Sequence, residues 1–435
     1  MSTRCLTFLA SVVFLISCSV SHKTTRTCTR ILLQDSTIKN AQVGISIYEP
    51  ASKKYWYQYN SNKNFIPAST TKLFTLYVAM KYLGDSLTGI NYFEDTNKLY
   101  IFPTGDPTFL HSDFANQPVF NFLEKNKEKE IIVIEPTRQL KKYGKGWAWD
   151  DANEAYMPER NVMPMYGNTI QINWNKKRNE LNSIPPSTAF SVTIKMDTTL
   201  QQSYCEGENN QFVFYNNQRN DFSQQIPFET NGITTTMNVL KSSLNCNIHS
   251  GSLENYSNKK LISIASQPRD SVLKKMMTRS DNFYAEQILL MASNQLLGYS
   301  SDDKMIDTLL KKDFSDMPQQ PRWVDGSGLS RYNLFSPNDF IYVIKKIKNE
   351  FGLSTLKNML PTGGTGTLKN MLVCDSGFVF AKTGSFSNNY NISGLLVTKK
   401  NKQILFSIMV NHYIGNSKAL RKKIEIFIHQ IRENN

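Results

Sequence analysis

Residues 65–84 read FIPASTTKLFTLYVAMKYLG, and the fold turns on what this stretch is for. Pro67, Ser69, Thr70 and Thr71 stand directly before Lys72 and an apolar run. One reading is structural. A hydroxyl caps the helix by taking an orphan amide, Leu73, Leu76, Ala79, Tyr82 and Leu83 face a core, and Gly84 closes the helix. The other reading is chemical. Ser69 and Lys72 are three residues apart on one face of the first turn, so an amine lies within reach of the hydroxyl's proton. The pattern alone is weak, because the chain holds six Ser-x-x-Lys sequences, starting at Ser36, Ser69, Ser257, Ser271, Ser301 and Ser354. Only the copy at Ser69 opens a long apolar helix.

The flanks supply a sheet. Before the helix, Val43, Ile45 and Ile47 alternate, a turn runs from Pro50 to Lys54, and Tyr55, Tyr57 and Tyr59 alternate again, which predicts a hairpin. Near the other end, SGFVFAKTG predicts a strand, YNISGLLVTKKNKQILFSIMVNH a second hairpin, and NSKALRKKIEIFIHQIREN an amphipathic helix. Five strands from the two ends of the chain would form one antiparallel sheet. Residues 91–261 differ: short alternating segments such as KEIIVIEP, NTIQINWN, AFSVTIKM and NQFVFYNN predict a β-rich insert. Helices resume at DSVLKKMMTRSDNFYAEQILLMASNQLLG. The expected organisation is a catalytic domain from 36–90 and 262–435 interrupted by the insert at 91–261.

The N-terminus reads MSTRCLTFLASVVFLISC, with one cation at Arg4, an apolar stretch and a small residue before Cys18. That predicts an export signal over 1–17, too short to span a membrane alone. Cys18 after Leu-Ile-Ser resembles the bacterial lipobox, which implies a lipid on its sulfur, with 18–35 as a polar tether. The protein is therefore expected in the cell envelope, membrane-anchored and facing the periplasm. Cys205 and Cys246 are placed to pair in an oxidising envelope or to remain buried thiols; their spacing does not choose. The net charge of +14 suits an anionic partner, but no nucleic-acid module is present and the lysines are scattered over the chain.

Two further motifs complete a set. Ser280-Asp281-Asn282 lies between two helical runs, where its structural reading is a cap. Lys382-Thr383-Gly384 ends the strand FVFA. Each is unremarkable alone, but together with Ser69 and Lys72, in this order, they are the motifs of penicillin-binding proteins and serine β-lactamases. No His-Glu-x-x-His or Gly-x-Ser-x-Gly occurs among the sequences around His22, His111, His249, His412 and His429, which argues against a zinc hydrolase or a Ser-His-Asp triad.

The segments YGKGWAWDD (143–151), IASQPRDSVLKKMMTRSDNFYAEQIL (264–289), WVDGSGLSRYNLFSP (323–337) and LPTGGTGTLKN (360–370) extend the likeness. With them the chain resembles the low-molecular-mass class C penicillin-binding proteins, the D-alanyl-D-alanine carboxypeptidase and endopeptidase family. That family carries an insert between its serine-lysine helix and its Ser-x-Asn loop, and 211 positions separate Ser69 from Ser280 here.

The resemblance implies an α/β fold of the α+β type: a β-lactamase/transpeptidase-like domain with a five-stranded antiparallel sheet flanked by helices, plus an inserted β-rich lobe. It implies that Ser69 is the nucleophile and Lys72 its base, with Ser280 relaying the proton and Asn282 holding Lys72 or the substrate amide. Lys382 and Thr383 would grip a terminal carboxylate, Gly384 would let strand and substrate approach, and the amides of Ser69 and Ser385 would form the oxyanion hole. Peptidoglycan stem peptides and cross-links and β-lactam antibiotics are the implied partners, with no metal or cofactor. A β-lactamase and a non-catalytic penicillin-sensing or wall-binding module are the competing readings. Asp325–Ser330 reads as a turn or as support for the groove, and Asp150 and Asp151 as caps of the insert or contacts to a cationic peptide.

Overall fold

Alternation in the N-terminal segment becomes a strand, Gln42–Glu49, paired antiparallel with Lys54–Tyr59. The computed structural model describes residues 20, 23–35, 38–136, 138, 140–186, 188–252 and 259–435. The export signal over 1–17, Cys18, Ser36 and Ser257 lie outside the described residues. Contacts divide the chain into two compact units. The first comprises the described residues up to Tyr77, then Lys274–Ser280 and Thr308–Asn435; the second comprises Val78–Leu273 and Asp281–Asp307.

The first unit is built on the expected five-stranded antiparallel sheet, in the order Val379–Phe386, Asn389–Val397, Gln403–Asn411, Gln42–Glu49, Lys54–Tyr59. Its central strands are buried along almost their whole length, so helices or turns must cover both faces. On one side, Val43, Ile45, Ile392 and Phe406 share a core with Leu420, Ile424, Phe427 and Ile431 of the closing helix Ser417–Asn434. On the other side the packing is tight enough that a Cβ at Gly44 would sit 2.4 Å from the Phe65 ring.

The expected tether over 18–35 is corrected in its described part. Residues 23–28 are helical and Thr29–Leu33 continue as a wider turn. Cys28 and Leu32 are fully buried in the same core as the closing helix, and burial pushes the Cys28 thiol up to about 12. The polar composition conceals one apolar helical face.

Lys72–Tyr82 is helical as expected, preceded by a single tight turn over Ala68–Thr71. Every residue from Leu73 to Met80 is buried, which leaves Lys81 as the helix's exposed residue. Phe74 is the hub of an aromatic cluster, with ring centroids of Phe314, Trp323, Phe335 and Phe340 at 5.3, 5.5, 4.8 and 5.9 Å. Tilted and edge contacts of this kind add to the burial of the rings themselves.

The second unit holds a five-stranded mixed sheet and two three-stranded sheets, and each quoted alternating segment of the insert is a strand. Its edges differ from 91–261. Ser86–Asp95 pairs with Ile262–Pro268, so both strands belong to the insert's sheet, and 281–307 groups with them. Cys205 and Cys246 are free and lie in this unit's apolar core. The pairing alternative is thus resolved in favour of buried thiols.

Candidate active site

Ser69 owes its position to a turn that is pinned on all sides. Ala68, just before it, adopts a left-handed φ of 48°, a conformation that side chains with a Cβ rarely take. Packing enforces it. A Cβ at Gly328 would lie 2.0 Å from the Ala68 carbonyl oxygen, and one at Gly384 would lie 2.4 Å from the Pro67 oxygen and 2.9 Å from the Ser69 amide nitrogen. Only glycine fits at 384, where strand backbone meets turn backbone.

With the turn so placed, Lys72 Nζ donates to Ser69 Oγ at 3.0 Å and to the Ser327 carbonyl at 2.7 Å. The lysine is fully buried. The loop that offers Ser327 is itself wired through Asp325. This carboxylate accepts from the Gly328 amide at 2.9 Å, the Asn333 side chain at 2.7 Å and the Ser330 amide at 2.6 Å. Thr75 of the helix donates to the Gly326 carbonyl at 2.6 Å. The segment DGSGLS is therefore both a turn and a support for the site, and Ser327 is a contact that the sequence reading did not single out.

The second lysine comes from the strand Val379–Phe386. Lys382 Nζ donates to Ser280 Oγ at 2.8 Å and to the Thr383 carbonyl at 2.7 Å. Ser280 sits between the helices Arg269–Arg279 and Asn282–Leu297 with a φ of 63°, while Asp281 supplies the helix cap by accepting from the Tyr284 amide at 2.9 Å. The motif thus divides its labour between cap and site. Burial first, and then the Lys72 cation, push the Lys382 ammonium well below the usual lysine value.

Ser69, Lys72, Ser280 and Lys382 are thereby joined in two serine-lysine pairs within the first unit, with Thr383, Gly384 and Ser385 on the same strand. Asn282 falls in the second unit, where its Nδ2 donates to the Tyr156 carbonyl at 2.9 Å. Two buried asparagines that the sequence reading missed, Asn391 and Asn411, hold the backbone of Ile66 and Pro67. Nothing in local sequence flags them.

The profile of the D-Ala-D-Ala carboxypeptidase 3 (S13) family matches residues 28–434. The chain belongs to that family. It is 23% identical over 406 residues to the D-alanyl-D-alanine carboxypeptidase DacB of Haemophilus influenzae, covering 82% of each chain. It is also 23% identical to the penicillin-sensitive carboxypeptidase A of Dictyostelium discoideum, covering 92% of this chain and 88% of that one. Among solved structures, penicillin binding protein 4 (dacB) of H. influenzae superposes with a TM-score of 0.73 at 20% identity, over 94% of this chain and 98% of the other. The fold is also that of Bd3459, a predatory peptidoglycan endopeptidase of Bdellovibrio bacteriovorus, with a TM-score of 0.51 at 15% identity over 90% and 93% of the two chains.

The depressed Lys382 has a thermodynamic signature. The unfolded chain keeps this proton up to a pKa of about 10.5 while the folded chain releases it earlier, so between the lowered folded value and 10.5 the unfolded state binds more protons. Stability should rise with pH across that window, by up to about 1.4 kcal/mol per pH unit for one proton. The Lys382→Met variant should lack this rise. Urea unfolding of both proteins between pH 7 and 10 measures it, and a pH-independent difference between them would contradict the depressed lysine.

Proposed function

We propose that the protein is an exported serine-type D-alanyl-D-alanine carboxypeptidase, also acting as a D,D-endopeptidase on peptidoglycan cross-links, with Ser69 as its nucleophile. The observation that carries this is the 3.0 Å contact between the fully buried Lys72 amine and the half-buried Ser69 Oγ, together with a second pair in which the fully buried Lys382 meets the half-buried Ser280. Membership of the S13 family supports the reaction class. The names of the DacB relative and of the Bd3459 endopeptidase support the two substrate types.

In this reading Ser69 Oγ attacks the carbonyl carbon between two D-alanines and gives its proton to Lys72. Two adjacent buried ammoniums are mutually destabilising, so the lysine pair has room for that proton. The oxygen that becomes negative is held by the Ser69 and Ser385 amides. Collapse breaks the C–N bond, Lys72 returns the proton to the leaving amine through Ser280, and D-alanine departs. Water then cleaves the Ser69 ester. Lys382 and Thr383 would bind the substrate's carboxylate, whose negative charge favours the protonated form of Lys382. A β-lactam presents a similar carbonyl and carboxylate, acylates Ser69 and leaves slowly.

Purified protein mixed with a labelled penicillin tests this. Lasting covalent label is the expected result; rapid release would make it a β-lactamase, and no label a non-catalytic module. Ser69→Ala should take up no label while remaining folded. Ser271→Ala and Ser354→Ala, which alter the same motif elsewhere, should label like the wild type. Label persisting on Ser69→Ala would overturn the assignment.

Lipidation of Cys18 would tether this activity to the membrane, on the support of Leu-Ile-Ser before the cysteine and an apolar leader ahead of it. Among the described residues no helix is long and apolar enough to cross a membrane. Cys18→Ala should move the protein from the membrane fraction to a soluble or unprocessed form, whereas unchanged membrane recovery with a different mature N-terminus would contradict the anchor.

A further inference from the structure

Most side-chain hydrogen bonds run to backbone or water, and those of Asn391 and Asn411 reach out of the sheet to the backbone of another segment. They lie on neighbouring strands, Asn389–Val397 and Gln403–Asn411, and both are fully buried. Asn391 stands directly opposite Gly384 in the register, and directly opposite residues share a face. It therefore points to the side of the sheet that Gly384 presents to the Ser69 turn.

The contacts bear this out. Asn391 Nδ2 donates to the Ile66 carbonyl at 3.0 Å and to the Pro67 carbonyl at 2.9 Å. Asn411 Oδ1 accepts from the Ile66 amide at 2.6 Å, and Asn411 Nδ2 donates to the Ile66 carbonyl and to Asn391 Oδ1, each at 3.3 Å. The two side chains thus present to Ile66 the donor and acceptor that a neighbouring strand would offer. The same Pro67 oxygen accepts from Thr70 Oγ1 at 2.7 Å, and the Thr70 amide lies 3.4 Å away. Ile66 and Pro67 lead directly into Ala68 and Ser69, so the clamp fixes the base of the turn that carries the nucleophile.

The strand edge at 384 already approaches the turn without a side chain, which leaves backbone carbonyls facing a buried sheet surface with no ladder of their own; unpaired, they would be costly. Asn391 and Asn411 supply partners to the Ile66 backbone and a further donor to the Pro67 carbonyl, at a place where a shift of an ångström would move both Ser69 Oγ and its amide. We propose that Asn391 and Asn411 are positioning residues for acyl transfer, holding the Ser69 turn at the height above the sheet that the reaction requires.

The inference rests on Ser69 being the nucleophile, so Ser69→Ala is measured alongside: label on that variant would defeat the nucleophile reading whatever the asparagine variants do. The test itself is the acylation rate at saturating labelled penicillin, far below the melting temperature, for Asn391→Leu, Asn391→Asp, Asn411→Ser and Ser393→Ala. Ser393 is a control, being buried on the same strand but bonded to Ser407 at 2.9 Å rather than to the turn. Asn391→Leu should lose about 10- to 100-fold in the saturated rate with little change in half-saturating concentration, because a small misplacement of reacting atoms is felt in the transition state.

Asn391→Asp gives a sharper readout. Its carboxylate would face two carbonyl oxygens with no proton to donate, whereas its protonated form regains one donor. Its rate relative to wild type should therefore climb as the pH falls. Ser393→Ala should acylate at the wild-type rate. Should Asn391→Leu fail to fold, Asn411→Ser carries the same expectation of a slowed saturated rate. Wild-type rates in the folded asparagine variants, or an equal loss in Ser393→Ala, would overturn the positioning role.

Discussion

The structure depends on one close approach: the backbone of Gly384 against the backbone of Pro67 and Ser69. There is no room for a methyl group between them, since a Cβ at 384 would fall 2.4 Å from a carbonyl oxygen. A close approach between two main chains cannot adjust by rotating a side chain. It fixes the height of Ser69 over the sheet, and the other features of the first unit can be read as ways of holding the two backbones there. The aromatic cluster around Phe74 seats the helix that continues from the turn. Gly328 closes the turn from the opposite side, against the Ala68 carbonyl.

Chemistry and stability oppose each other at this point. Two lysines fully buried in one unit cost desolvation energy, and the depressed Lys382 is the sign of it. The surrounding loop offsets part of that cost with oriented carbonyls. Ser327 offers one to Lys72 and Thr383 one to Lys382, and neither brings a negative charge that would hold the proton too tightly. The Asp325 carboxylate accepts from the loop's own donors and so shapes the loop that meets Lys72. A carbonyl dipole holds an ammonium less firmly than a carboxylate does, which favours an amine that can accept and release a proton.

How much of this was legible in the sequence follows from how local each feature is. Ser69 and Lys72 are three residues apart, and Lys382, Thr383 and Gly384 are contiguous, so their placement on a helix entry and on a strand could be read directly, although the strand runs on to Phe386 and holds Lys382 in its middle rather than at its end. The five-stranded sheet was legible because each strand announces itself by alternation or apolar run and its neighbours are mostly joined by hairpins. Asn391 and Asn411 were not, because their meaning lies in a segment more than 300 positions away. Ser327 escaped for another reason: its backbone, not its side chain, makes the contact. The helical stretch around Cys28 and Leu32 was masked by polar neighbours, and the limits of the insert were missed because Ser86–Asp95 and Ile262–Pro268 read as ordinary strands until their mutual pairing is seen.

The most direct test of this account is the acylation rate of Gly384→Ala, measured at saturating labelled penicillin beside its thermal stability. If the approach at 384 sets the position of the nucleophile, the added methyl must push strand and turn apart, and the rate should fall by about 100-fold or more while the protein still unfolds cooperatively. A folded Gly384→Ala protein that acylates at the wild-type rate would show that the site tolerates the displacement, and would contradict the account at its base.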